Sequence, residues 1–173
     1  QWSKNALCLA GLAFSGQLLH ADAWGSALGT FAVFCAVSSA VYASNDVRDR
    51  ASDACHPTKE RRPVASGSIP PGVALLVSGF FALLALIGGF WVCTAVGVCT
   101  LVYLALNVGH SMGLKHVVFI DVLCIAMGFF LRLLAGIYAV HVVPTVRITQ
   151  CTFFGALFLG LELNSPAPTD ELI

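Results

Sequence analysis

The sequence predicts an all-α protein, a polytopic membrane bundle of about six transmembrane helices. Three observations carry that expectation. The 173-residue chain is 58% hydrophobic and only 10% charged, whereas soluble domains carry about 25% charged residues. Its mean hydropathy is +0.86, and apolar runs near or above ~18 residues recur along it, the length a bilayer crossing demands. Finally, nine of the eighteen Lys, Arg, Asp and Glu residues are confined to the stretch from Asn45 to Pro63, between long apolar runs.

Taken in order, Trp2 and Lys4 read as an interfacial lead-in, with the ring at headgroup depth and the amine in water. Residues 6–21 form a short first span, Asp22 and Gly25 mark a turn, and 26–44 form a second span that feeds directly into the charged stretch. Ser66 to Gly72 is rich in helix breakers, and Pro71 suits the first turn of a new helix. From there to His110 the chain is almost wholly apolar. One helix of that length would be about 60 Å long, twice the roughly 30 Å hydrocarbon core. It must fold back, and Gly88-Gly89 is the expected place, giving spans at about 71–88 and 91–109. A second short polar loop covers 110–117, a fifth span about 118–140, a turn with Pro144 follows, and a sixth span covers about 148–161. Residues 1–163 thus read as one membrane domain and 164–173 as a polar, Pro-rich, disordered tail. The chain begins with Gln1 rather than Met, which suggests a missing N-terminus, and the first apolar run lacks a small-residue cleavage pattern.

Composition excludes several classes. The formal net charge is zero and the basic residues form no stripe, so no nucleic-acid partner is expected. The seven cysteines contain no CxxC pair, and six of them lie in apolar runs where Cys behaves as a small hydrophobe. Cys55, inside the charged loop, has one His beside it, which is thin support for a nucleophile. With six spans, seven of the nine basic residues share one side (Lys4, Arg48, Arg50, Lys59, Arg61, Arg62 and Lys115). By the positive-inside rule that side is cytoplasmic, and both polar loops face it.

The charged stretch carries the candidate chemistry. If its first part continues the preceding helix, Asn45, Asp49 and Asp53 fall at i, i+4 and i+8 and stack as a column of oxygen ligands. Hard oxygen donors suit Mg²⁺, which uses one or two carboxylates together with waters and substrate phosphates. The following basic group (His56, Lys59, Arg61, Arg62) has the chemistry to hold phosphate oxygens the metal leaves free. The alternative is a solvated loop whose mixed charges pair with one another. Arg132 lies about 16 Å deeper along the fifth span than Asp121. A charge at that depth must face protein or a wet cavity, as an anion ligand or as a structural partner. Asp121 reads as a structural acceptor. Lys115 either reaches a phosphate or snorkels at a helix end. His110, His116 and His141 read as ordinary boundary residues.

The run NDVRDRASDACHPTKERRPVASG, residues 45–67, resembles the first Asp-rich signature of the UbiA superfamily of membrane prenyltransferases. Its HPTKERRP portion is similar to the branch that transfers phosphoribose to polyprenyl phosphate, as are the opening QWSKN and the segment from Ser111 through Lys115, Asp121, Gly128 and Arg132 to Gly136. The resemblance covers about residues 1–160. It implies a helical fold around a cavity open to cytoplasm and lipid, in the cell (plasma) membrane with the motif loops on the cytoplasmic side. It also implies Mg²⁺ held by Asn45, Asp46, Asp49 and Asp53, and phosphates bound by Lys59, Arg62, Lys115, Lys4 with Asn5, and Arg132. Asp49, Asp53 and Lys115 would then be the catalytic residues. The partners implied are a phosphorylated sugar donor (phosphoribosyl pyrophosphate), a polyprenyl phosphate acceptor, membrane lipid, and a second copy or a complementing chain. Two departures stand out. His110 occupies a position where the family usually has Tyr, and the second Asp-rich motif and later spans of the family are missing. The alternatives are prenyl transfer from a prenyl diphosphate to an aromatic acceptor, or a catalytically incomplete fragment or binding subunit.

Overall fold

The computed structural model describes residues 2–14, 16–111 and 118–164, and every regular element among them is helical. A 3-10 turn at Trp2–Ala6 leads into α1 (Leu7–Phe14). It is followed by α2 (Ala21–Ala54), α3 (Pro71–Val92), α4 (Thr94–Ser111), α5 (Val118–Ala139) and α6 (Val146–Asn164). Four of them, α2 to α5, are long and apolar enough to cross a membrane.

The expected first span is shorter than its apolar run. α1 has eight residues, about 12 Å of helix. It stops before Gly16, whose φ of +70° belongs to the left-handed region that L side chains avoid. The turn therefore lies ahead of Asp22, which instead occupies the first turn of α2, where an acidic side chain complements the helix dipole. α2 runs unbroken for 34 residues. At about 50 Å it exceeds the bilayer core, so the second span and the Asp-rich column are one rod.

The chain does not turn at Gly88-Gly89. Both lie inside α3, and the break comes at Cys93, which is extended. The glycines serve contact instead. A Cβ on Gly88 would stand 3.1 Å from Val33 Cγ2, and one on Gly89 would stand 3.1 Å from Thr100 Oγ1 and 3.2 Å from the Gly97 Cα. Close helix approach through small residues replaces the hydrophobic drive that lipid cannot supply. The other face of α3 presents Leu76, Phe80, Leu83, Ile87 and Trp91 outward at spacings of three and four, a lipid-facing stripe.

A tighter crossing joins α1 to α5. A Cβ on Gly136 would fall 2.0 Å from the Cys8 carbonyl oxygen, and one on Gly11 would fall 2.4 Å from the Gly136 carbonyl carbon. Backbone meets backbone there, which holds the chain's first turn against α5. The shared core lies between α2, α4 and α5, where Phe34, Val37, Val96, Tyr103, Leu131 and Ala135 are buried together. α5 ends with His141 in the left-handed region (φ 56°), its N–H donating to Tyr138 O while Val142 N–H donates to Ile137 O. That is a Schellman closure with His where Gly is usual. The fifth span matches its expected bounds, and α6 is longer than the sixth was expected to be. Residues 112–117, including Lys115 and His116, and 165–173 of the expected tail lie outside the described residues.

Candidate functional site

Because α2 does not break, the motif side chains inherit its geometry. Asp46, Asp49 and Asp53 fall at i, i+3 and i+7, one stripe of the helix. Ser38 and Tyr42 continue that stripe towards the bundle interior. From Ser38 to Asp53 it measures roughly 20 Å.

At the outer end a guanidinium closes the stripe. Arg62 Nη1 donates to Asp46 Oδ1 at 3.0 Å and to Asp53 Oδ2 at 2.9 Å. Asp53 is buried (3% exposed), and the Arg62 side chain is 41% exposed. The loop's own turns aim Arg62 there. Lys59 N–H and Glu60 N–H donate to His56 O, Arg62 N–H to Lys59 O, and Ser66 N–H to Arg62 O. Gly67 (φ +77°) and buried Val64 complete the wrap. The same wrap leaves Lys59 and Arg61 exposed. Asp49 is half-buried on the same stripe. Of the expected phosphate ligands of this loop, then, one is folded onto the acids and one faces solvent.

At the inner end stands Arg132, 5% exposed. Its Nε donates to Asn5 Oδ1 at 2.7 Å, Nη1 to Gly128 O at 2.8 Å, and Nη2 to Tyr103 OH at 2.8 Å and Ser38 Oγ at 3.3 Å. The guanidinium carbon is 4.7 Å from the Tyr103 ring centroid, a cation–π distance. Every partner is neutral, so the positive charge is solvated by dipoles but not cancelled. Asn5 is fully buried and also bonds Ser38 Oγ and Cys35 Sγ. Lys4 lies 5.8 Å from the Phe129 ring centroid. Lys4, Tyr42, Tyr103, Asn107, Phe129 and Arg132 line a cavity of about 110 Å³. Tyr42 belongs to the acid stripe, so this cavity opens beneath the carboxylates.

Asn45 sits at the edge of the stripe, and its Oδ1 accepts a hydrogen bond from Ser111 Oγ. It borders a second cavity, of about 220 Å³, between α2, α3 and α4. Next to Ser111, His110 Nε2 meets Asp121 Oδ1 at 2.5 Å, tying the end of α4 to the first turn of α5. The structural reading of Asp121 thus has a partner in His110, which stands in the last turn of α4.

Among the described residues no group of three His, Cys, Asp or Glu side chains is placed to hold a metal ion. The donor chemistry nonetheless suits a hard divalent cation: two carboxylate oxygens flank one cationic nitrogen, and a third acid shares their stripe. Sequence reasoning missed Ser38, Tyr42, Tyr103 and Asn107. A signal existed for the first two, since they lie eight and four residues before Asp46 in an otherwise apolar span.

A multi-pass helical bundle with an acid stripe at the end of one rod and a buried arginine beneath it defines an integral membrane protein with a polar site opening between its helices. Residues 6–165 match the UbiA prenyltransferase family, and the chain belongs to that family. It is 34% identical over 164 residues to a decaprenyl-phosphate phosphoribosyltransferase of Mycolicibacterium smegmatis, covering 92% of this chain and 52% of that one. It is 36% identical over 166 residues to the enzyme of the same name from Corynebacterium glutamicum, covering 92% and 49%. A nodulation protein NoeC of Azorhizobium caulinodans is 30% identical over 159 residues, covering 82% and 46%. The chain spans about half the length of the curated relatives it matches.

Proposed function

We propose that this chain acts in the transfer of a phosphoribosyl group from phosphoribosyl pyrophosphate to a polyprenyl phosphate, with pyrophosphate as the second product. The observation that carries the reading is the pair of opposite sites on one stripe: carboxylates at its outer end, and a cation left unneutralised by its partners at its inner end. An anionic lipid headgroup is drawn to Lys4 and Arg132. The donor diphosphate is drawn to the outer end, where Mg²⁺ bound by Asp46, Asp49 and Asp53, with Asn45 at their edge, would neutralise its charge. Arg62, Lys59 and Lys115 supply donors to its remaining oxygens. A phosphate oxygen of the acceptor attacks the anomeric carbon, the bond from that carbon to the diphosphate oxygen breaks, and the electron pair leaves with pyrophosphate. The side chains contribute by positioning two anions and stabilising charge on the leaving group. The basic loops lie on the cytoplasmic side of the plasma membrane.

The test is a transfer assay in membranes carrying the chain, with labelled phosphoribosyl pyrophosphate and polyprenyl phosphate. Asp53→Asn is expected to lower transfer roughly a hundredfold, the scale of a lost electrostatic contact to a leaving group. Unchanged transfer would overturn the site. Protection of the acid stripe by a prenyl diphosphate, but not by phosphoribosyl pyrophosphate, would favour prenyl transfer to an aromatic acceptor instead.

A further inference from the structure

The cavity between α2, α3 and α4 adjoins the diphosphate and lipid sites, sharing Asn45 with the first and Asn107 with the second, and has no assigned ligand of its own. Its floor is alanine, valine and leucine, and its polar lining is Ser44, Asn45, Arg48, Ser78, Asn107 and Ser111. On α2, Asn45 and Arg48 flank Asp49 at the edge of the acid stripe, about 40° and about 100° around the helix from it, while Arg48 stands about 140–160° from Asp46 and Asp53. Arg48 is exposed at this cavity, and no carboxylate pairs with it among the ion pairs of the described residues. The other polar groups are hydroxyls and amides, the donors and acceptors that read a polyol. Asn107 lines this cavity and also the one holding Lys4 and Arg132, so its side chain belongs to the walls of both. Its Nδ2 is committed to Tyr103 O at 2.7 Å, which fixes the amide in that wall.

We propose that this cavity binds the sugar-phosphate end of the donor, with Arg48 taking a terminal phosphate monoester and Asn107 standing between the sugar and the acceptor's phosphate. This rests on the phosphoribosyl-transfer reading and deepens it. A donor seated this way has its two phosphate ends about a quarter-turn apart on α2, with the monoester at Arg48 and the diphosphate at Asp49, the acid nearest to it. The reacting sugar carbon then lies nearest the wall shared with the lipid site. A lipid phosphate offers Arg48 the same monoester chemistry, and the experiment separates the two sources.

The full chain in lipid nanodiscs is titrated with ribose 5-phosphate, with pyrophosphate plus Mg²⁺, and with a short-chain polyprenyl phosphate, each by calorimetry. Arg48→Gln is expected to weaken ribose 5-phosphate binding about tenfold or more, as loss of a charged hydrogen bond does, and to leave the other two ligands within twofold. Asn107→Ala is expected to weaken ribose 5-phosphate and leave pyrophosphate unchanged. If Arg48→Gln weakens the polyprenyl phosphate and spares ribose 5-phosphate, the cavity is a lipid-headgroup site and the proposal falls. Equal weakening of ribose 5-phosphate and pyrophosphate, or no weakening at all, overturns it as well while leaving the transfer reading intact. A wild-type chain that binds pyrophosphate but no ribose 5-phosphate, and whose membranes transfer no phosphoribose, overturns both.

Discussion

Two arginines sit at opposite ends of one helical stripe and are held in opposite ways. Arg62, on a wrapped loop and 41% exposed, lies between two carboxylates. Arg132, 5% exposed, is held by an amide, a backbone carbonyl, a serine and a tyrosine. The outer cation has its charge cancelled where water could have screened it cheaply. The inner one keeps its charge where an uncancelled charge is most costly. Stability alone would favour the reverse arrangement. The difference points to an anion partner for Arg132, and to acids at the outer end that can exchange one cation for another.

Three substitutions would break or sharpen that contrast. The largest effect is expected from Arg132→Met, which leaves the buried Asn5 oxygen, Tyr103 hydroxyl and Gly128 carbonyl short of a donor. A loss of about 2–4 kcal/mol is expected from unsatisfied buried groups, read as unfolding by denaturant in detergent. A loss under about 1 kcal/mol would mean that the network is dispensable and the inner cation is not part of the scaffold. Next comes Gly136→Ala, which drives a methyl into the Cys8 carbonyl across the α1–α5 crossing. Overpacking of this kind costs about 1–3 kcal/mol. It should also loosen Asn5 from Arg132, seen as faster hydrogen exchange in residues 2–14. Smallest is Arg62→Gln, where a half-exposed ion pair contributes about 1 kcal/mol or less to stability. Its expected signature lies elsewhere: Mn²⁺, used as a paramagnetic stand-in for Mg²⁺, should bind the variant more tightly because the competing guanidinium is gone. Weaker Mn²⁺ binding would show that Arg62 shapes the acid site and does not compete for it.

Much of the fold was legible from periodicity. α2 running straight into the acids, Pro71 opening α3, and α5 starting at Val118 all follow from apolar spacing and local backbone preference. The double glycine was misread because the same residue type that loosens a chain also permits close helix contact, and only the neighbour decides which. α1 was overestimated because apolar character continues past Phe14 while helical backbone does not.

The candidate site divides along the same line. Spacing alone put Asp49 and Asp53 on one rod and made Arg132 a deep charge, because 1.5 Å and 100° per residue are properties of any helix. Which base turned back onto the acids, Lys59 or Arg62, depended on how the hydrogen-bonded turns from His56 to Ser66 fold back onto α2. That Arg132 is tethered to Asn5, 127 residues away, depended on a glycine crossing that brings α1 onto α5. Local geometry is set by bonds between neighbours in the chain, and residue types suffice to read it. The choice of a distant partner is set by packing among helices, where small differences in shape decide between groups of equal charge.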